Sequence, residues 1–136
     1  MIHSGKRRLA AACCAALFIA LTAVASGGVP PNSVPTTLTM RNASPAFHGK
    51  VKSALEVCES DRRVKLFKER RDGSREVLGR TDSDFNGKWL VLIDPLESGS
   101  YIAKAKRHIV SVSDRAAGFG GEVVCEPDFG PRIVVD

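Results

Sequence analysis

Asp82-x-Asp84-x-Asn86-Gly87 sets three side-chain oxygens at alternate positions ahead of a glycine, the first half of a calcium loop. Such a loop ends on a bidentate carboxylate at its twelfth position, which here is Ile93, and Asp94 falls one residue late and precedes Pro95. The expectation is therefore Asx residues serving a turn, with at most a weak adventitious calcium site and no resident metal or cofactor. His48 or His108 beside a carboxylate would make a general base, but alternation puts His48 on the wet face of a strand. No Gly-x-Ser-x-Gly elbow, His-Glu-x-x-His or phosphate loop occurs, and no enzyme is expected. Trp89 and Tyr101 are suited to stack on sugar rings, yet both fall on faces read as core. The charge clusters Asp61-Arg62-Arg63 and Lys68-Glu69-Arg70-Arg71-Asp72 have mixed sign and read as solvated. Lys104-x-Lys106-Arg107 and Lys50-x-Lys52 would form one basic stripe, fit for an acidic surface, if their strands were neighbours.

These residues hang on one stretch, Leu78 to Leu92, which reads as strand, turn, strand. Asn86-Gly87 supplies the tolerance of positive φ that tight turns need, and Asp82 and Ser83 offer acceptors for amides of the same turn. Trp89, Val91 and Ile93 share one face of the second strand, with Leu90 and Leu92 on the other. Apolar residues on both faces predict a central strand or one covered by a loop.

The start of the chain sets the compartment. Met1 to Arg8 is basic, Leu9 to Val24 is almost unbroken apolar, and Ala23-Val24-Ala25 is small-x-small. That layout predicts a secretory signal over 1–25, with the membrane touched only through it before cleavage. Loss of Lys6, Arg7 and Arg8 lowers the formal charge from +5 to +2, too little to argue for nucleic acid. Cys13 and Cys14 leave with the signal. Cys58 and Cys125 remain, and export favours a disulfide between them over a metal site with the two histidines or a pair of free thiols.

Residues 26–35 are Gly, Pro and Ser punctuation and read as a flexible leader without a packing role. From 36 to 136 the chain alternates in short runs. Thr36–Arg41 is a first strand. Phe47, Gly49 and Val51 point inward from the next, Val64 and Leu66 from another, and Tyr101, Ala103 and Ala105 from a later one. Phe67 breaks its pattern. His108–Ser113 extends the Tyr101 strand, Asp114–Gly121 is a Gly-rich loop, and Arg132–Asp136 closes as a last strand. No 3.6-residue period occurs, and the spacing predicts one all-β domain, a sandwich or barrel, with one disulfide.

Phe47-x-Gly49-x-Val51, Cys58, Arg63-Val64-x-Leu66-Phe67, Leu78-Gly79-x-Thr81-Asp82, Asn86-Gly87-Lys88-Trp89, Gly99-Ser100-Tyr101-x-Ala103, Cys125 and a terminal Ile133-Val134-Val135 together resemble the prealbumin-like exported domains, transthyretin-like and carboxypeptidase-regulatory-like, found in many bacterial secreted proteins. The resemblance spans residues 46–136. It implies a Greek-key β-sandwich of about seven or eight strands, prealbumin-like or Ig-like in class, and a Cys58–Cys125 bond joining a loop to the segment before the last strand. It implies little about function, because the fold hosts unrelated roles. The hydroxyisourate-hydrolysing branch carries a His-containing basic site and a Tyr-Arg-Gly-Ser tail, and this chain has neither.

The functional expectation is a secreted or cell-envelope, monomeric, non-catalytic module that binds a protein or cell-wall ligand or plays a structural part. The alternatives are a carbohydrate-binding module, which needs exposed aromatics, and a small hydrolase, which needs a histidine and a carboxylate in one cleft.

Overall fold

The computed structural model describes residues 32–114 and 119–136; the signal segment, with Cys13 and Cys14, lies outside them. The described chain is all-β. In order it forms β1 (Ser33–Val34), β2 (Thr36–Leu38), β3 (Arg41–Ala43), β4 (Ala46–Ser53), a 3-10 turn (Glu56–Cys58), β5 (Arg63–Glu69), β6 (Arg75–Asp82), β7 (Lys88–Leu92), β8 (Gly99–Ala105), β9 (His108–Asp114), β10 (Phe119–Cys125), β11 (Asp128–Phe129) and β12 (Ile133–Val135).

Period-2 alternation explains which residues meet. Phe47 and Val51 from β4 and Trp89 and Val91 from β7 pack, with Leu38 and Met40, against Val64 and Leu66 from β5 and Tyr101, Ala103 and Ala105 from β8. These belong to two sheets, one ordered β11-β8-β5-β6 with β12 also on β8, the other holding β2, β3 and β7 around β4. Small Ala103 and Ala105 leave room for the large rings opposite, and Phe47 meets Tyr101 with ring centroids 4.8 Å apart. The β4–β5, β6–β7 and β7–β8 connections each pass from one sheet to the other, as Greek-key connections do. A third, small sheet of β1, β10 and β9 stands beside the Cys58–Cys125 disulfide, whose Cα atoms are 5.4 Å apart.

Several local expectations are corrected. The stretch Leu78–Leu92 is not a hairpin. β6 pairs with β5 and β7 with β4, so the turn between them is a corner from sheet to sheet. The turn chemistry itself is present. Asp84 Oδ1 accepts from the amides of Asn86 and Lys88, at 2.9 Å each. What opens the strands apart is the competition for their ends. Ser83 exchanges backbone hydrogen bonds with Asp61 and Arg62, and the Gly87 carbonyl accepts from Val51. Gly87 has φ +78, and a Cβ there would lie 2.3 Å from the Val51 carbonyl oxygen. Asp84→Ala should cost about 1–2 kcal/mol by freeing two amides at the corner, read as a lower urea midpoint at unchanged slope; an unchanged midpoint would mean that water replaces the carboxylate at no cost.

β7 is an edge strand, not a central one, since among the described residues it pairs with β4 alone. Trp89 and Val91 are buried as expected, but Leu90 and Leu92 are 51% and 67% exposed. The Thr36–Arg41 run breaks at Thr39, whose hydroxyl takes the Lys50 amide in place of a ladder bond. His108–Asp114 does not prolong β8. It turns away at Lys106 and Arg107 and pairs with β10, with His108 opposite Cys125, so Phe119–Gly121 is strand and not loop. The end of the supposed leader also packs, as Ser33–Val34 runs parallel to Val124–Cys125.

Arg62 departs most from expectation. It is fully buried rather than solvated. One terminal nitrogen donates to Thr36 Oγ1 and the Cys58 carbonyl, the other to the carbonyls of Lys106 and Glu126. Burial pushes the pKa of its guanidinium down, and no carboxylate is among its partners in the described residues. The preceding residue, Asp61, sits at φ +52, the left-handed conformation that Asp tolerates, and this turns Arg62 inward.

Candidate cationic face

The basic stripe expected from β4 and β8 does not form, because the two strands lie in different sheets. Each set of lysines instead finds other partners. Register places Lys65 of β5 directly opposite Arg80 of β6 on one side and Lys104 of β8 on the other, with Phe129 of β11 opposite Lys104. The result is a row Arg80–Lys65–Lys104–Phe129 across four strands. One step along the sheet, Arg63 pairs with Asp82, and the Lys106 amide donates to the Arg63 carbonyl. One step the other way the row is apolar, Val77–Phe67–Ile102. Phe67, which breaks its strand pattern, therefore belongs to this outer face beside a bulge.

Three cations in one row repel. The Lys65 amine is held below its usual 10.5, chiefly by Lys106, then by desolvation and by Arg80, Arg63 and Lys104. Like charges directly opposite on a sheet destabilise it. Lys65→Gln should therefore raise the thermal midpoint at low ionic strength, and the gain should shrink as salt screens the row; a lower midpoint would show that the Lys65 stem contributes more by packing than its charge takes away. The pH sign follows. Between the lowered folded value and 10.5 the unfolded chain binds more protons at Lys65 than the native one, so this group's share of stability rises with pH there.

Phe129 adds an aromatic to the cations. Arg75 and Lys104 each stand 4.9 Å from its ring centroid. Arg63 is the one cation of the two charged rows held by a carboxylate among the described residues. Lys65, Arg80, Lys104 and Lys106 thus present a cationic field with an aromatic at its margin. Lys65 and Arg80 were absent from the expected stripe. The signal for Lys65 was the alternation of β5, but nothing local announces that Arg80 and Lys104 flank it.

The other expected residues scatter. Trp89 and Tyr101 are 3% and 1% exposed, so neither offers a stacking platform. His48 lies on β4 and His108 begins β9, in different sheets. Asp82 is taken by Arg63 and Asp84 by backbone amides, and no group of three or more His, Cys, Asp or Glu is placed to hold a metal ion among the described residues. Cys58 and Cys125 form the expected bond. An open cleft of about 420 Å³ is lined by Lys68, Glu76, Glu97 and Tyr101, and Lys68 and Glu97 pair with each other at its margin. No family model, curated protein or solved structure matches the chain.

Proposed function

We propose that this chain is an exported, non-catalytic binding module that holds an anionic polymer or acidic surface of the cell envelope through the outer face of the β11-β8-β5-β6 sheet. The observation that carries this is the uncompensated row Arg80–Lys65–Lys104 with Phe129 beside it. A sheet that accepts cross-strand repulsion gains when an anion enters the row. The disulfide fits an oxidising compartment, and the basic–apolar–small start of the chain supports export. The two facing sheets, and a bond from the Leu55–Arg62 segment to the strand before the end of the chain, are what the resemblance to prealbumin-like exported domains leads one to expect.

The carbohydrate alternative is less favoured because its two aromatics are in the core, and the hydrolase alternative because its two histidines are apart. The test is retention of the oxidised protein on immobilised cell-wall fragments, anionic against neutral. Retention on the anionic material, lost in Lys65→Glu, supports the proposal. Equal retention on neutral material, or none on either by a protein shown to be folded, overturns it.

A further inference from the structure

The opposite sheet carries a second cationic feature, a shallow and open one. A groove of about 810 Å³ runs over β4 and β7, lined by Arg41, His48, Lys50, Lys52 and Lys88. Lys50 stands directly opposite Lys88, so like charges again face each other across strands, with Cβ atoms about 5 Å apart, and Arg41 stands opposite His48. Two carboxylates also line the groove: Asp82 is paired with Arg63, while Asp84 Oδ1 accepts from the amides of Asn86 and Lys88 and is paired with no cation among the described residues.

The floor is built from Thr39, Gly49 and Trp89. Gly49 is required there, since a Cβ would lie 1.8 Å from the Thr39 carbonyl oxygen and 2.9 Å from the Trp89 indole nitrogen. That nitrogen is buried and has no hydrogen-bond partner among the described residues, and Trp89 itself is almost wholly enclosed. Buried donors without acceptors are uncommon in native proteins; this one shares the inward face of Gly49 and so lies on the core side of the sheet, away from the lysines.

We propose that this groove is a binding site for a small molecule bearing two or more oxyanion charges, phosphate or carboxylate. Its volume of about 810 Å³ falls within the range of small-molecule sites. The Lys50–Lys88 pair and Arg41 supply charge-assisted donors, and the ligand's charge relieves their mutual repulsion. The site is centred on the other sheet from the Lys65 row, with Thr81 and Asp82 of β6 at its margin, and the proposal does not rest on the role proposed for that row.

Trp89 is the single tryptophan of the chain, so its emission reports on the floor directly. The oxidised protein would be titrated with glucose 6-phosphate, citrate and, as the neutral control, glucose. A saturable change with one or both anions and none with glucose is expected, and the anion that acts tells phosphate from carboxylate. Lys88→Glu should weaken that binding roughly tenfold or more, the cost of losing one charge-assisted contact. Lys50→Gln, a milder change on the same pair, should weaken it less. Lys65→Glu, on the opposite sheet, should leave it unchanged. Absence of saturable binding to both anions, by fluorescence and by calorimetry, would overturn the proposal. So would affinity equal in wild type and in folded Lys88→Glu, or an equal loss in Lys65→Glu, which would make the response one of net charge.

Discussion

Arg62→Met should destabilise the protein by about 3–5 kcal/mol, the largest single-residue effect expected in this fold. The side chain is completely enclosed and its four hydrogen bonds reach Thr36 on β2, Cys58 at the 3-10 turn, Lys106 in the β8–β9 connection and Glu126 after β10. Four segments distant in sequence are thus joined at one guanidinium. Methionine fills most of the volume and leaves three carbonyls without their donor. Arg62→Lys keeps the charge but not the planar fork that serves four acceptors at once, and it should recover less than half of the loss. Both are read from urea unfolding of the oxidised protein. A cost under about 1 kcal/mol for Arg62→Met would mean that water or a backbone shift satisfies the carbonyls and that the guanidinium does not organise the junction.

Removing the disulfide should come next in size. Cys58 and Cys125 are separated by 67 residues, and releasing that loop costs about 4 kcal/mol in the chain-entropy account. The loss should not be uniform. The bond ties the small β1-β10-β9 sheet to the rest, and the Arg62 acceptors Cys58 and Glu126 flank it. In Cys58→Ala/Cys125→Ala, amide exchange should therefore quicken first over β9 and β10, while β5 and β8 keep their protection. Arg62→Met added to this variant should cost less than it does alone, because the two changes open the same junction. Uniform acceleration across all strands, or strict additivity, would contradict that picture.

What could be read in the sequence was what alternation reports. Phe47 and Val51, Val64 and Leu66, Trp89 and Val91, and Tyr101, Ala103 and Ala105 each announce an inward face within one strand, and each is buried. Pairing is decided elsewhere. Asn86-Gly87 turns the chain whether or not the flanking strands meet, and here the bonds to Val51, Asp61 and Arg62 draw β6 and β7 into different sheets. Arg62 reads as solvated because its neighbours Asp61 and Arg63 are, and only the enclosed carbonyls of distant segments explain its burial. The cationic row is hidden for the same reason. Lys65, Arg80 and Lys104 come from three strands, and their adjacency is a matter of register, which no single stretch displays.

The central claim is that this row receives an anion, and the salt dependence of polyanion binding tests it most directly. The affinity of the oxidised protein for polyglutamate would be measured over a range of salt concentrations, for wild type and for Lys65→Gln/Lys104→Gln. Wild type should bind with log K falling linearly in log salt, and the double variant should lose affinity and flatten the slope by roughly two counterions. A wild-type protein that does not bind at low salt, or a double variant with the wild-type slope, would contradict the assignment of this face as the binding surface.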